Sequence, residues 1–301
     1  MRFSWLCLLV VLAVPAGAQH YRLPGKTINE QERIKALELL QSADTLQQSV
    51  YWPHITPARF IANVKQNILQ PLRLNNGRTT NFCAYGALSY TCLKNEPLRY
   101  ATCMIDLYRN GQAMYRNVHL APSEAIRNTA GTIIFQGEFD IHPADQIWFL
   151  SLAYRFKGYL NIFNRRYQPG DENTMWAATN LAKFNRMLRK LCRYKTSSRG
   201  SDLLRPSIKD LPRYLQEKMA SGEVYLYLNN SVLRKKNHNR MRRRIPTHYV
   251  VLLSLEPKGN DMLTITYWDG DYKTIKEVTP ASLKRIIYGI SWVKYNEENN
   301  E

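Results

Sequence analysis

Two apolar stretches near the C-terminal end limit the fold more than any other feature of the chain. Residues 247–254 and 263–270 are rich in β-branched, aromatic and aliphatic side chains, which favours β-strands. A turn sequence containing Pro and Gly, residues 257–260, lies between them and predicts a hairpin. The two strands should therefore be antiparallel neighbours. This arrangement brings Asp269, which ends the second strand, beside His248, which opens the first.

A cysteine begins an apolar helical pattern in the first third of the chain. Residues 75–81 are all turn or cap residues, and apolar residues continue at helical spacing after Cys83. A thiol at a helix start faces unpaired N–H groups and the positive end of the helix dipole, which stabilise the thiolate. A buried cysteine is more often just a small apolar core residue. Together with His248 and Asp269, however, Cys83 becomes a candidate nucleophile.

The order of these residues resembles the papain-like cysteine peptidase superfamily: a helix-borne Cys, a strand-opening His, then Asp or Asn one strand later. Residues 279–284 and the final strand look most similar to the bacteriocin-leader-peptidase-like branch, which usually has Asp. The similarity spans roughly residues 73–296 with a large unmatched middle. It implies an α+β papain-like fold, with the nucleophile helix packed on an antiparallel sheet. It also implies that Cys83 is the nucleophile, His248 the general base and acid, and Asp269 the orienting carboxylate.

The sequence departs from this superfamily at the oxyanion donor. Papain-like enzymes generally place a Gln a few residues before the cysteine, but no Gln lies between Gln70 and Cys83. The nearest side-chain amides, and therefore the candidate donors, are Asn76 and Asn81. The alternative is that Asn76 only forms a turn and Asn81 only caps the helix.

The first 18 residues have the pattern of a secretory signal peptide. Arg2 precedes an apolar run, and Ala16-Gly17-Ala18 supplies the small residues of a cleavage site. The run is too short to span a bilayer, and no later segment is long and apolar enough to do so. We therefore expect an exported protein, periplasmic or extracellular, that begins at Gln19 after cleavage.

Three parts are expected to follow the signal peptide (residues 1–18). They are an N-terminal helical extension (19–71), a papain-like catalytic domain (72–296) with a helical insertion at about 142–192, and a polar tail (297–301). In the extension, Asn29 with Glu32 predicts a capping box, and Thr56-Pro57 predicts a second helix start. These helices are either a removable prosegment or a packed extension, and their amphipathic pattern favours the extension.

The unmatched middle predicts a mixture of strands and helices. Asn110-Gly111 predicts a hairpin between strands at 100–107 and 112–118, and residues 133–139 predict another strand. Helices are expected to begin at His142-Pro143, at Asp171 and at Pro206.

Four of the five cysteines remain after removal of the signal peptide, which contains Cys7. They are Cys83, Cys92, Cys103 and Cys192. With Cys83 reserved for catalysis, at most one disulfide can form, and Cys92 and Cys103 are the nearest pair in sequence. Free thiols at both positions are the alternative.

Four polar residues of the middle segment could be taken for a metal cluster: His142, Asp145, Asp171 and Glu172. No closely spaced His pair supports such a site, and helix capping accounts for these residues better. We therefore expect no metal ion and no other cofactor.

The formal net charge of +18 favours anionic surroundings. Residues 234–244 concentrate positive charge just before His248, so we expect part of this run to attract an anionic substrate. The candidate residues are Arg240, Arg242, Arg243 and Arg244. A merely solvated loop is the alternative. Nucleic-acid binding is disfavoured, because no aromatic residues alternate with the basic ones and no recognised motif is present.

The leading hypothesis is an exported thiol hydrolase that cleaves an amide or peptide bond through Cys83, His248 and Asp269. Its substrate is expected to be a peptide, a protein or a cell-wall peptide. A protease, an amidase similar to NlpC-type enzymes, and a transglutaminase-like acyl transferase remain open. The alternative outside this class is a catalytically silent binding protein for an anionic polymer.

Overall fold

The computed structural model describes residues 28–43, 45–191, 195–229, 246–270 and 272–294. The signal-peptide pattern, Cys192, the basic run at 234–244 and the polar tail lie outside these residues. Predictions that concern them are untouched by the structure.

The described residues form an α+β structure, as predicted. The helices are α1 (Glu30–Ser42), α2 (Pro57–Leu69), α3 (Cys83–Asn95), α4 (Pro97–Asn110), α5 (Glu124–Thr129), α6 (Pro143–Phe156), α7 (Leu181–Leu191), α8 (Leu211–Ser221) and α9 (Pro280–Ile286). The strands are β1 (Ala113–Tyr115), β2 (Val118–Leu120), β3 (Ile134–Phe135), β4 (Glu138–Phe139), β5 (Lys195–Gly200), β6 (Gly222–Leu228), β7 (His248–Pro257), β8 (Leu263–Asp269), β9 (Tyr272–Val278) and β10 (Ile287–Lys294).

A six-stranded antiparallel sheet organises the C-terminal half, with strand order β5-β10-β6-β7-β8-β9. One face carries Tyr227 and Tyr249 and belongs to the core that contains α3, α6 and α7. The other face carries Leu226 and Val250 and packs against α8 and α9. Both faces are covered because the side chains alternate along each strand and both sets are apolar.

A β-bulge interrupts the pairing of β7 with β8. The pairing with β8 shifts register between Leu252 and Ser254. Leu252 and Leu255 belong to the same core, although strict alternation would place them on opposite faces. Because the bulge adds one residue to β7, Leu255 returns to the face that carries Leu252.

The N-terminal helices contribute side chains to the same core as α3. Ala36, Leu40, Phe60, Val64 and Ile68 are all buried in it. The predicted helix starts are confirmed, but the reciprocal half of the capping box is not, because the Asn29 N–H donates to the Lys94 carbonyl at 3.0 Å. The Asn29 side chain accepts a hydrogen bond from the Glu32 N–H, and the Thr56 hydroxyl accepts one from the Arg59 N–H.

The hairpin predicted around Asn110-Gly111 is wrong, because residues 100–107 lie in α4. Gly111 is the C-cap of this helix, with φ of 67°, and its N–H donates to the Leu107 carbonyl at 2.9 Å. An Asn-Gly pair suits both a hairpin turn and a left-handed helix ending. The apolar spacing of Tyr100, Met104 and Leu107 is helical, and it decides between them. The hairpin that does form joins β1 to β2.

Other predicted boundaries are corrected as follows. The helix expected from Asp171 begins at Leu181, and residues 171–173 form only a single 3₁₀ turn. The helix expected from Pro206 begins at Leu211, capped by Asp210. Residues 133–139 form the short hairpin β3–β4 rather than one strand. In the part of the chain that the structure describes, no helix is long and apolar enough to cross a membrane.

Candidate active site

The loop before Cys83 is held by a carboxylate from the middle of the chain. Asp140 accepts hydrogen bonds from the N–H of Arg78 at 2.7 Å and from the N–H and hydroxyl of Thr79 at 3.1 and 2.8 Å. Within the loop, the Gly77 N–H donates to Asn75 Oδ1 at 2.8 Å, and Gly77 has φ of 85°. These bonds fix the direction in which the chain enters α3.

Cys83 is the first residue of α3, as predicted, and its side chain is only partly buried. Phe82 rather than Asn81 occupies the N-cap position, and no side chain caps this end. The first helical bond runs from the Gly86 N–H to the Phe82 carbonyl at 2.8 Å. Within the described residues, the N–H groups of Cys83, Ala84 and Tyr85 have no acceptor. The helix start therefore offers free donors beside the thiol.

His248 and Asp269 meet at the adjoining ends of β7 and β8. Val251 pairs with Trp268, and His248 and Asp269 lie three and one positions beyond this pair, at the same end of the two strands. Both residues are buried, and His248 Nε2 is hydrogen-bonded to Asp269 Oδ1. This bond fixes the imidazole and leaves Nδ1 available to another partner.

Cys83 lies beside this ring. Its side chain is among the groups that raise the pKa of His248, and its Sγ lies 3.9 Å from the carbonyl oxygen of Thr247, the residue before His248. Burial lowers the pKa of His248, but the charge and hydrogen bond of Asp269, together with Cys83, outweigh burial and raise the pKa to about 10. The imidazole is therefore protonated at neutral pH.

The two candidate oxyanion donors have different environments. Asn76 is buried between the first turn of α3 and the residue that follows Asp269. The space on both sides is tight. A Cβ atom added at Gly86 would lie 3.2 Å from Asn76 Cβ, and one added at Gly270 would lie 2.6 Å from Asn76 Oδ1. Its amide makes no hydrogen bond to the described residues. Asn81 Nδ2 instead donates to the Thr174 carbonyl at 2.9 Å. Asn76 thus retains a free amide, whereas Asn81 secures a neighbouring loop.

Two further contacts position α3 against the sheet. The sequence pattern did not reveal either of them. Lys94 and Glu223 form a buried ion pair of 2.9 Å between α3 and β6. Trp268 stacks on Tyr90 of α3 with ring centroids 5.9 Å apart, and its Nε1 donates to the Leu72 carbonyl at 2.9 Å. Trp268 precedes Asp269, so the same strand supports the helix and carries the third member of the site.

The residues considered as a metal cluster have internal partners. Asp145 accepts from Asn63 and Asn67 of α2, Asp171 accepts from Arg165 and the Gln168 N–H, and Glu172 accepts from Tyr167 and the Gly170 N–H. His142 is the N-cap residue of α6 but makes no side-chain cap bond. Among the described residues, no group of three or more His, Cys, Asp or Glu could hold a metal ion.

Cys92 and Cys103 are both free and buried, so the disulfide considered for this pair does not form. Cys103 lies in α4. The four candidate arginines of the basic run lie outside the described residues.

Comparison of the chain with protein-family models, with curated proteins and with solved structures found no match.

Proposed function

We propose that this protein is a papain-like cysteine hydrolase that cleaves an amide or peptide bond. One observation supports this function above the others: a helix-start thiol contacts a histidine whose second ring nitrogen is bonded to a buried carboxylate. Nucleophilic catalysis by cysteine needs a base for the thiol and a group that orients the base. The raised pKa of His248 supports a resting thiolate–imidazolium pair.

In the proposed reaction, the Cys83 thiolate attacks the substrate carbonyl carbon. A C–S bond forms, and the carbonyl electrons move to oxygen. Collapse of this intermediate breaks the C–N bond while the His248 imidazolium gives its proton to the leaving nitrogen. Water then attacks the thioester as neutral His248 accepts a proton from it. Release of the acid breaks the C–S bond and restores the thiolate–imidazolium pair.

The tetrahedral oxyanion receives hydrogen bonds from the unpaired N–H groups at the start of α3 and from the Asn76 amide. Preorganised donors of this kind each contribute ~2.7–4 kcal/mol to the transition state. We assign the main side-chain contribution to Asn76, because the amide of Asn81 already donates to Thr174.

The substrate that we propose is an anionic peptide, protein or cell-wall peptide outside the cytoplasm. The net charge of +18 and the arginines at 240, 242, 243 and 244 support this choice. A positively charged surface raises the local concentration of such a substrate and speeds encounter.

Alkylation of the purified protein with iodoacetamide at neutral pH tests the proposal without a known substrate. Peptide mass spectrometry should show Cys83 modified much faster than the buried Cys92 and Cys103. Replacing His248 with Ala should slow the modification of Cys83, because the imidazolium no longer stabilises the thiolate. Equal alkylation rates in the wild type and His248→Ala would overturn the proposed pairing.

Substrate discovery then uses a peptide library and purified peptidoglycan. Hydrolysis should disappear in Cys83→Ala and in His248→Ala, and the double variant should be little worse than either single variant. Full activity in Cys83→Ala would rule out the proposed chemistry.

A further inference from the structure

Five exposed apolar side chains occur on three loops that hydrogen bonds link to one another. We call this set the loop-tip patch: Leu160, Ile162, Met175, Leu203 and Leu204. Ile162 and Leu203 are 81% and 79% exposed. Single exposed apolar residues are ordinary on protein surfaces, but a cluster of them marks a contact surface.

Tyr159 joins the three loops that carry the patch. Its N–H donates to the Met175 carbonyl at 2.8 Å, and its hydroxyl donates to Asp202 Oδ1 at 3.0 Å, next to Leu203. Its carbonyl accepts from Asn180 Nδ2. The loop tips are therefore held relative to one another by hydrogen bonds, and the patch is a fixed surface.

On these loops the acidic and the basic side chains differ in their exposure to solvent. The acidic side chains are buried or half-buried and accept internal bonds: Asp171 and Glu172 from their own loop, and Asp202 from Tyr159 and the Leu181 N–H. Four basic side chains on or next to these loops are exposed: Arg165, which pairs with Asp171, Arg205, which donates to the Arg285 carbonyl and the Tyr288 hydroxyl, and Arg166 and Arg199. The outer surface of the loops is thus apolar at the tips and cationic at the margins.

We propose that the loop-tip patch docks on the surface of an anionic lipid bilayer. Ile162 and Leu203 are too exposed to line a groove that binds a peptide, because such a groove shields its lining. Apolar tips enter the boundary between headgroups and acyl chains, and surrounding arginines pair with lipid phosphates. The exposed charge complements an anionic leaflet.

Docking in this way places the thiol close to the membrane. The loop of Met175 is bonded to the segment that leads into α3: the Asn81 N–H donates to the Glu172 carbonyl at 2.8 Å, and Asn81 Nδ2 donates to Thr174. Cys83 follows Asn81 by two residues. A protein held by these loops therefore presents Cys83 to substrates at the membrane surface.

Co-sedimentation of the purified protein with lipid vesicles tests the inference and does not depend on catalysis. We expect binding to vesicles that contain phosphatidylglycerol and phosphatidylcholine, and much weaker binding to phosphatidylcholine alone. Replacing both Ile162 and Leu203 with Asn should lower the partition coefficient by roughly tenfold or more, because two apolar side chains no longer leave water. The Arg166→Gln, Arg199→Gln double variant should bind less tightly and with less dependence on salt.

The matched control is the double variant Val50→Asn, Ile275→Asn, which removes two apolar side chains that are 85% and 62% exposed elsewhere on the protein. It should bind as the wild type does. Wild-type binding by Ile162→Asn, Leu203→Asn would show that adsorption depends on net charge alone and would overturn the inference. Failure of the wild type to bind, equal binding to both kinds of vesicle, or equal loss in the control would overturn it as well. All three double variants change exposed residues, and circular dichroism verifies that they are folded.

Discussion

His248 Nε2 is hydrogen-bonded to Asp269 Oδ1 across the ends of two adjacent antiparallel strands, although the residues are 21 positions apart in the sequence. The bond leaves Nδ1 of the same ring for Cys83. One backbone feature, the register of β7 against β8, therefore sets both the orientation of the imidazole and its charge.

Replacing Asp269 with Asn should lower the pKa of His248. Asp269 contributes both a negative charge and a hydrogen bond to the imidazolium, and Asn keeps only the hydrogen-bonding capacity. NMR titration of the imidazole measures the change, with wild-type titration near pH 10. The alkaline limb of kcat/KM should move to lower pH in parallel, because the imidazolium is the proton donor for the leaving nitrogen. An unchanged His248 pKa would show that the carboxylate does not set the charge of the ring.

The His248 imidazole also makes the stability of the folded protein depend on pH. The pKa of His248 is about 10 in the folded protein, above its ordinary 6.5, so the native state holds the proton more tightly. This stabilisation is complete below about pH 6.5 and is lost as the pH rises to about 10. As the pH rises across this interval, the wild type should therefore lose unfolding free energy relative to His248→Ala, and urea denaturation of both proteins measures the loss.

Replacing Asn76 with Ala should separate turnover from thiol reactivity. Alkylation by iodoacetamide forms no oxyanion, so the rate at Cys83 should be retained. Hydrolysis passes through an oxyanion, so kcat should fall by roughly 10²–10³-fold if the amide donates to it. Asn81→Ala is the control. Its kcat should fall less, because the Asn81 amide already donates to the Thr174 carbonyl. Loss of both alkylation and hydrolysis in Asn76→Ala would indicate a structural role for the side chain.

The site could be predicted from the sequence because each of its three residues lies at the end of a strongly patterned element. Cys83 begins an apolar helix, His248 begins a buried strand, and Asp269 ends the next one. A short turn between two strands allows only one antiparallel arrangement, so local signals determined a long-range contact.

The middle of the chain was harder to predict because its local signals suit two structures. Asn110-Gly111 predicts a hairpin from the pair alone, whereas the preceding apolar spacing predicts the helix that forms. The edge strands β5 and β9 have polar sequences with little apolar alternation and were not predicted. They pair with β10 and β8 through backbone bonds, which no side-chain pattern records. Glu223 and Lys94 could not be paired from sequence, because their contact depends on how α3 packs on β6.

Asp145 should give the protein a second, separate pH dependence of stability. Burial raises its pKa to about 7 despite opposing hydrogen bonds from Asn67 and Asn63, so the folded protein retains this proton where the unfolded chain has lost it. Stability from this group is complete below about pH 4 and declines as the pH rises to about 7. Relative to Asp145→Asn, the wild type should lose on the order of a few kcal/mol across this interval. Urea denaturation of both proteins at several pH values measures this.

The N-terminal helices should be required for folding rather than act as a removable prosegment. Phe60 is fully buried and stacks on Tyr108, with ring centroids 4.3 Å apart, so Phe60→Ala should cost about 3–5 kcal/mol in unfolding free energy. Ile34→Ala, at a position 54% exposed on α1, should cost little. Deletion of residues 19–70 should give insoluble protein because it exposes the core. A soluble truncated protein with higher activity would instead identify an inhibitory prosegment.

Neutralising the basic run should weaken the encounter with an anionic substrate while leaving the chemistry intact. The variant carries Arg240→Gln, Arg242→Gln, Arg243→Gln and Arg244→Gln. Its kcat/KM should be lower and less dependent on salt, because steering charges act through a field screened within about 8 Å at physiological ionic strength. Turnover at saturation should change little.

A control variant with the same change in net charge tests whether position matters. Its substitutions lie on α8, on α9 and just before α8, on the side of the sheet opposite α3: Lys209→Gln, Arg213→Gln, Lys284→Gln and Arg285→Gln. The measurement is kcat/KM against ionic strength for the wild type, the variant of the basic run and the control variant. If the run steers substrate, only its own variant departs from the wild-type salt curve. Parallel curves for all three would identify the run as a solvated loop, and equal losses in both variants would assign the attraction to net charge alone.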